Sequence, residues 1–293
     1  MKVMISSAGA GPAISLIKYF NSRNIDVVST DISEDAAGLH LSKGYLVPKF
    51  SDINFTDKII NIAKEENVDL IIPILDIELR KFHEIKFRSD IPVAINSLGS
   101  INVCLDKKQS LKVCDIGNIK YPKEIDPRSY RGKFIGRPSS GTGSRGIIIR
   151  SEPIDGDIPD NYVWQEFIEG QEYSVDMYGF SMISPRKRIL VKDGQTVVGQ
   201  IDNDPEIIDF ASRCAKTFRM SDVSCLQLIK SDSGLYFIEL NPRYGTGVSL
   251  GISAGMDFPM AQLNHYCDLN YKMRNELKHG LKMIRYYKEI YCE

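Results

Sequence analysis

Four polar residues in the last third of the chain have the types and spacing of a metal-binding site. Glu239, Asn241 and Arg243 stand at alternate positions, and Gln227 lies on the preceding apolar run. Alternate side chains of a β-strand share a face, so Glu239 and Asn241 should point the same way. Carboxylate and amide oxygens suit Mg²⁺, which commonly also binds substrate phosphates. The pattern predicts a magnesium and phosphate site, and a surface ion pair between Glu239 and Arg243 is the alternative.

The sequence around these residues predicts a β-hairpin that would bring them together. Two strands, 223–229 and 236–241, flank a turn at Asp232-Ser233-Gly234. A three-residue loop with glycine in the left-handed position fits this turn. Because that loop pairs Ser231 with Leu235, Gln227 is expected opposite Glu239. In this register Phe237 shares the face of Glu239, and the apolar face carries Tyr236, Ile238 and Leu240.

A second segment has the composition of a phosphate-binding loop. An apolar strand, 133–138, contains Arg137 and leads into eight positions that hold three glycines and four small hydroxyl residues. Such a loop can place several backbone N–H groups against phosphate oxygens, because no bulky side chain prevents close approach. The apolar run 147–149 follows, so a glycine-rich hairpin is predicted rather than a P-loop that enters a helix. The candidate phosphate contacts are Ser140, Gly141, Thr142, Gly143 and Ser144.

The composition is that of an ordinary soluble chain. The 293 residues are 43% hydrophobic and 26% charged, and the net charge of −1 does not favour nucleic acid as a partner. No run approaches the roughly 20 apolar residues that span a bilayer, and no signal peptide is recognisable. The six cysteines show no C-x-x-C spacing, which indicates a reduced, cytoplasmic protein.

The first 31 residues have the order of elements of a dinucleotide-binding unit. A strand, a turn with Gly9 and Gly11, a helix and a second strand are followed by Asp31. The third glycine of the usual motif is missing, and Pro12 removes an amide that a phosphate could use. A Rossmann-like lobe is therefore predicted, with Gly9 and Gly11 on the substrate side and NAD binding as the alternative.

Two acids follow an apolar strand at 69–74. Groups just after the carboxyl ends of parallel strands face the ligand crevice of an open α/β sheet. Asp76 and Glu78 are therefore predicted on the substrate side, and capping of the next helix is the alternative. One more strand is predicted at 91–96, and a lobe boundary near 97–106.

Gln227 together with Glu239-Leu-Asn241-Pro-Arg243 resembles the metal-binding hairpin of the ATP-grasp ligases, with the carbamoyl-phosphate-synthetase-like branch as the most similar type. The resemblance covers nearly the whole chain and implies a fold of the α/β and α+β classes. It divides the chain into a Rossmann-like lobe (1–100), a small ATP-grasp lobe with the glycine-rich loop (101–168) and a large ATP-grasp lobe (169–293). A complete carbamoyl phosphate synthetase with two halves is not expected at this length.

The resemblance also implies which residues bind ATP. Lys107, at a similar helix entry, is expected to reach a phosphate, and so is Arg137, where most relatives have lysine. The backbone of Glu166, Phe167 and Ile168 is expected to bind the adenine edge. Glu172 is expected to accept from the ribose hydroxyls, since a carboxylate only accepts. Solvent-exposed positions for Lys107 and Glu172 are the alternatives.

Two further segments are candidates for contacts with the substrate. Arg186 and Arg188 should share a strand face and could bind an anion, or they could protect a solvated edge strand. Gly245, Thr246 and Gly247 precede a helix whose N-terminus could hold a carboxylate or phosphate. The resemblance implies acceptor contacts in both places.

The function implied is an ATP- and Mg²⁺-dependent carboxylate–amine ligase that acts through an acylphosphate. Its substrates would be a small carboxylate (amino acid, peptide or sugar acid) and an amine, and a homodimer is a family-level expectation. Glu239 would bridge two Mg²⁺ ions, with Mn²⁺ as a possible substitute, while Arg243 and Arg137 would act as catalytic residues that offset phosphoryl charge. The alternatives are a kinase or carbamate-forming enzyme, a non-catalytic nucleotide-binding module and an NAD-dependent reductase.

Overall fold

A computed structural model describes residues 1–141, 146–273 and 275–292. Its strands form a four-stranded, a three-stranded and a six-stranded sheet, which belong to three successive lobes. The predicted combination of an α/β lobe with two α+β lobes is confirmed. Among the described residues, no helix has the length and apolar character needed to cross a bilayer.

The N-terminal lobe is a parallel sheet with helices on both faces. Its sheet order is β3-β2-β1-β4, and apolar clusters lie on each side. The strand predicted at 91–96 is not formed. Only one parallel bridge, between Val93 and Ile71, is present, because Pro92 has no N–H to extend the ladder. The elements are β1 (Lys2–Ile5), α1 (Gly11–Asn21), β2 (Asp26–Asp31), β3 (Lys43–Leu46), α2 (Phe55–Glu65), β4 (Leu70–Ile72), α3 (Leu79–Arg88) and α4 (Leu98–Cys104).

The small lobe is a three-stranded antiparallel sheet that follows helix α5 (Lys107–Ile116). The strands are β5 (Phe134–Pro138), β6 (Ile148–Arg150) and β7 (Tyr162–Glu166), in the order β6-β5-β7. The β5–β6 pair is the predicted glycine-rich hairpin, although Thr142, Gly143 and Ser144 lie outside the described residues. Gly136 is needed for packing, because a Cβ there would lie 2.3 Å from the ring of Trp164.

The large lobe is a six-stranded sheet in the order β12-β11-β8-β9-β10-β13. Cys114 of α5 belongs to the same apolar cluster as Ala211 and Phe237 of this lobe. Helix α5 therefore packs on the large sheet, although it falls within the predicted small lobe. The elements are β8 (Gln171–Tyr178), β9 (Met182–Lys192), β10 (Gln195–Ile201), α6 (Pro205–Thr217), β11 (Val223–Ser231), β12 (Gly234–Asn241), α7 (Val248–Ser253), α8 (Phe258–Tyr266) and β13 (Lys282–Ile284).

A buried asparagine joins the N-terminal lobe to the large lobe. The Asn96 side chain is 1% exposed, and its Nδ2 donates to the carbonyls of Val223 (2.9 Å) and Pro242 (3.4 Å). Its Oδ1 accepts from the backbone N–H groups of Ser221 and Asp222, each at 3.0 Å. These bonds fix the start of β11 and the end of β12 relative to the N-terminal sheet.

Asn96→Ala is expected to lower the free energy of unfolding by about 3 kcal/mol, because four backbone groups lose a buried partner. Asn54→Ala removes an exposed side chain that caps nothing and should change stability by less than about 0.5 kcal/mol. Urea titration followed by circular dichroism measures both. Equal midpoints for the two variants would show that Asn96 is not an interlobe anchor.

Candidate active site

The hairpin that was predicted to bind metal consists of β11 and β12. Gln227 pairs with Glu239, and Cys225 pairs with Asn241, so the three predicted ligands share one face. Ser231 pairs with Gly234 rather than with Leu235, and a β-bulge between Gln227 and Leu228 absorbs the one-residue difference. The predicted pairing of Gln227 with Glu239 therefore holds although the predicted loop was wrong by one residue.

The bulge also reverses the faces predicted for part of β12. Leu228 pairs with Phe237, which is 1% exposed and stacks on Phe218 in the large-lobe core at 5.3 Å between ring centroids. Tyr236 opposes Ile229 instead of entering the core, and Lys120 lies over its ring. Ile238, predicted on the apolar face, lines the cavities described below.

The polar groups at the end of β12 form a connected set. Asn241 Nδ2 donates to Glu239 Oε1 at 3.1 Å, and Arg243 Nη2 donates to Asn241 Oδ1 at 3.3 Å and to Asp76 Oδ2 at 2.8 Å. Burial lowers the pKa of Arg243, but the facing Asp76 more than offsets this, so the guanidinium stays charged. Asp76 thus connects the N-terminal lobe directly to the hairpin.

The donor set of the hairpin fits Mg²⁺. Gln227 and Asn241 offer amide oxygens and Glu239 a carboxylate, which are the hard oxygen donors that Mg²⁺ uses. In the described residues, no three His, Cys, Asp or Glu side chains gather into a metal cluster. Only one of the three donors carries a charge, so phosphate oxygens of a bound nucleotide would have to supply most of the negative ligands.

A cavity of about 1080 Å³ lies beside the hairpin, between the small and the large lobes. Its polar wall contains most of the residues predicted to bind ATP, and apolar side chains of β5, β11 and β12 line the rest. The structure therefore gathers residues that are far apart in sequence. The residues predicted to bind ATP or metal that line the cavity are Lys107, Arg137, Ser140, Gly141, Glu166, Phe167, Ile168, Glu172, Gln227 and Glu239.

Two cations stand between the glycine-rich loop and the hairpin. Lys107 is the first residue of α5, which Asp106 caps, and its N–H donates to the carbonyl of Ser139 at 2.9 Å. Arg137 is 8% exposed and donates to Gln165 Oε1 and to the carbonyl of Ile238, while its buried Nε has no partner among the described residues. Burial lowers the pKa of both side chains, and Glu239 partly offsets this effect.

The segment predicted to bind adenine closes the other end of the cavity. The N–H groups of Glu166 and Phe167 donate to the carbonyls of Lys123 and Lys133. In the part of the chain that the structure describes, the Ile168 N–H has no such backbone partner. Among the three residues, Ile168 therefore has the N–H that could meet a purine edge.

Glu172 and Arg188 lie together in the same cavity. Arg188 Nε is 3.3 Å from Glu172 Oε1, and Arg188 Nη2 donates to the carbonyl of Gly194 at 2.8 Å. Burial raises the pKa of Glu172, and Arg188 counteracts the increase. A ribose at Glu172 would share the carboxylate with Arg188.

A second cavity of about 330 Å³ opens on the side of the hairpin that faces the N-terminal lobe. Asp76, Arg80 and Cys104 line it, together with Asn241. Both cavities share Lys107, Arg137, Ser140, Gly141, Ile238 and Glu239, so the larger cavity leads into the smaller one at these residues.

The structure shows the surroundings of Arg186 and Arg188, which were predicted to bind an anion. The two side chains share a strand face, but each already has an acid beside it. Arg186 is 1% exposed and donates to both oxygens of Asp176 at 2.9 and 3.2 Å. Their partners lie on the neighbouring strand β8, which the sequence pattern does not reveal.

The glycines before α7 have a packing role. A Cβ on Gly245 would lie 2.5 Å from Asp176 Oδ1, and a Cβ on Gly247 would lie 2.6 Å from Arg186 Nη1. Helix α7 has only six residues, and the Thr246 carbonyl accepts from Arg285. The predicted anion site at this helix N-terminus is replaced by a loop that covers a buried ion pair.

Three predicted substrate residues of the N-terminal lobe are also placed differently. Glu78 accepts from Ser6 and Ser7 and from the N–H groups of Ile74 and Leu75, so its carboxylate fixes the ends of β1 and β4. Burial raises its pKa. Glu78, Gly9 and Gly11 line neither cavity. The Gly9 N–H donates to Asp31, and Gly11 begins α1.

Sequence reasoning did not single out several residues that the structure brings to the site. Gln165 is fully buried, accepts from Arg137 and donates to the Pro122 carbonyl at 2.7 Å. Arg80 lines the smaller cavity from helix α3. Alternation along β7 could have indicated Gln165, since it is a polar residue in an apolar strand, but Arg80 resembles any surface arginine.

Comparison with protein families gives two matches that follow each other along the chain. Residues 3–94 match the PylC-like N-terminal domain, and residues 159–289 match the family described as ATP-grasp in the biosynthetic pathway with Ter operon. With the fold and the hairpin, these matches make the chain a member of the ATP-grasp superfamily. A carbamoyl-phosphate synthase of Methanobrevibacter smithii is 23% identical to this chain over 278 residues.

That alignment covers 80% of this chain and 74% of the synthase. An uncharacterized protein of Methanocaldococcus jannaschii is 25% identical over 197 residues, which are 60% of this chain and about half (51%) of that protein.

Solved structures show the same fold at low sequence identity. Biotin carboxylase of Campylobacter jejuni has a TM-score of 0.73 at 13% identity, and the match covers 96% of this chain and 74% of that chain. N5-carboxyaminoimidazole ribonucleotide synthetase of Thermotoga maritima has a TM-score of 0.69 at 14% identity, over 94% and 78% of the two chains. The biotin carboxylase domain dimer of Hydrogenobacter thermophilus 2-oxoglutarate carboxylase, solved with MgADP and bicarbonate, has a TM-score of 0.72 at 15% identity, over 96% and 73%.

The lowered pKa of Lys107 predicts a pH dependence of nucleotide binding. Because the pKa is below the ordinary lysine value of about 10.4, the charge is lost at a lower pH than in water, and the KM for ATP should rise as pH increases toward that value. Lys107→Arg keeps its charge over this range and should flatten the rise. Identical pH profiles in the two proteins would show that Lys107 does not contact the nucleotide.

Proposed function

We propose that the chain is an ATP- and Mg²⁺-dependent ligase that joins a small carboxylate to an amine through an acylphosphate. One observation carries this proposal: Gln227 and Glu239 lie opposite each other at the junction of the two cavities, with Lys107 and Arg137 beside them. Predicted metal donors, the buried Arg137 and the partly buried Lys107 thus lie where the two cavities meet. Phosphoryl transfer requires this combination of alignment and charge neutralisation.

The larger cavity would hold ATP with its base distant from the hairpin. The Ile168 N–H would meet the purine edge, and apolar side chains such as Ile135 and Ile229 would pack on its faces. Glu172 would accept from the ribose hydroxyls. The phosphates would then extend toward Lys107 and Arg137, where their negative charge compensates two partly desolvated cations.

Phosphoryl transfer would occur where the cavities join. Mg²⁺, held by Glu239 with the amide oxygens of Gln227 and Asn241, would neutralise the phosphates and align them. Arg243 would stabilise the transferring group, and Asp76 keeps its guanidinium in place. The carboxylate substrate attacks the γ-phosphorus, ADP leaves, and the amine then displaces phosphate from the acylphosphate.

A carbamate-forming reaction is the second candidate, because biotin carboxylases and a ribonucleotide synthetase of the carboxyamino type share the fold. In that case bicarbonate would take the place of the organic carboxylate. An assay of ADP release with bicarbonate alone, next to a panel of organic carboxylates crossed with amines, separates the two reactions.

Glu239→Gln is expected to lower ADP formation at least about 100-fold, because the one charged donor that would hold Mg²⁺ is lost while the shape is kept. Asp232→Asn changes an exposed acid at the turn of the same hairpin and should leave the rate unchanged. Coupled ADP assays measure both variants over a Mg²⁺ titration. Full activity of the Glu239 variant at every Mg²⁺ concentration would disprove catalysis at this hairpin.

A further inference from the structure

The smaller cavity contains an acid whose bonding capacity is only half used. Asp76 is 4% exposed, and its Oδ2 accepts from Arg243 at 2.8 Å. Its Oδ1 is also buried and has no hydrogen-bond partner among the described residues. A buried carboxylate oxygen without a donor is costly, so its presence in the wall of a cavity points to a ligand that brings an N–H or O–H group.

The position of Asp76 relates this oxygen to the reaction centre. Asp76 lines the cavity together with Glu239 and Asn241, and Arg243 connects it to the hairpin. A group that donates to Oδ1 would therefore lie beside the site of phosphoryl transfer, on the side away from the nucleotide. The volume of about 330 Å³ admits only a small molecule next to the acyl group.

A cation stands at the rim of the same cavity. Arg80 lies in α3, four residues after Asp76, which belongs to the short 3₁₀ turn before that helix. Asp76 is turned to Arg243, and Arg80 donates its Nε to the exposed Asn102 at 2.8 Å. Its guanidinium is thereby left at the rim with donors available for an anion.

We infer that the smaller cavity binds the amine substrate, and that this substrate is a small amino acid. Asp76 Oδ1 accepts a hydrogen bond from its amino group, and Arg80 binds its carboxylate. The inference rests on the proposed ligase reaction and assigns the second substrate of that reaction. Asp76 thus has two partners, Arg243 on one oxygen and the nucleophile on the other.

The bond-forming step balances without any further reactant. The amino acid enters as an ammonium ion and loses one proton to water before it reacts. The nitrogen lone pair then forms the C–N bond with the acylphosphate carbonyl carbon, and the C–O bond breaks with its electron pair on phosphate. The second proton lost from nitrogen leaves with inorganic phosphate.

Hydroxylamine separates the amine site from acylphosphate formation. At high concentration this small neutral nucleophile traps acylphosphates as hydroxamates without a dedicated binding site. A carboxylate panel with ATP and Mg²⁺ first identifies the acyl substrate of the wild-type protein by hydroxamate formation. Glycine and alanine are then compared with methylamine and ethylamine, which lack the carboxylate.

Asp76→Asn keeps an amide oxygen for Arg243 but replaces the free acceptor with an N–H donor. It should raise the KM for the amino acid about 30-fold, in addition to any loss of hydroxamate formation that the weakened contact with Arg243 causes. Arg80→Gln should reduce the preference for glycine over methylamine about tenfold and leave methylamine itself unaffected. Asp90→Asn, an exposed acid of the same lobe, serves as the matched control.

The outcomes distinguish this inference from the proposed function. Absence of hydroxamate with every carboxylate would disprove the ligase proposal, and the amine assignment with it. Hydroxamate formation that falls together with amide formation in Asp76→Asn would show that Asp76 only positions Arg243. Wild-type protein that uses methylamine as well as glycine would overturn the assignment of an amino acid.

Discussion

The buried ion pair between Asp76 and Arg243 is the interaction on which the geometry of the site depends. Both groups leave water, so the pair adds little net stability, but removal of one partner would leave an uncompensated buried charge. The two residues come from different lobes. The pair therefore specifies how the N-terminal sheet meets the metal-binding hairpin, and Asn96 reinforces the same junction with neutral hydrogen bonds.

Near this junction, some cations have an acid in ion-pair contact and others do not. Asp176 neutralises Arg186 and Glu172 contacts Arg188, whereas Lys107 and Arg137 have no acid in ion-pair contact among the described residues. These two cations lie between the glycine-rich loop and Glu239. A polyphosphate complements this charge better than a neutral ligand does.

The sequence was informative wherever local rules determine the structure. Strand alternation and turn chemistry predicted that Gln227 faces Glu239, although the loop and the bulge were both unforeseen and compensate each other. The sequence did not predict which acid pairs with which arginine, because this depends on how strands pair in the folded chain. Arg186 contacts Asp176 only because β8 pairs with β9. Glu78 accepts a hydrogen bond from the residue that follows β1, which is distant in the chain.

The position of the only tryptophan gives the molecule an intrinsic optical reporter. Trp164 stacks on Tyr162 in β7 and packs on Gly136, and the next residue in the strand, Gln165, lines the larger cavity. Its indole emission arises from a single environment within the small lobe. Changes in the small lobe can therefore be followed through this emission, without any label on the protein.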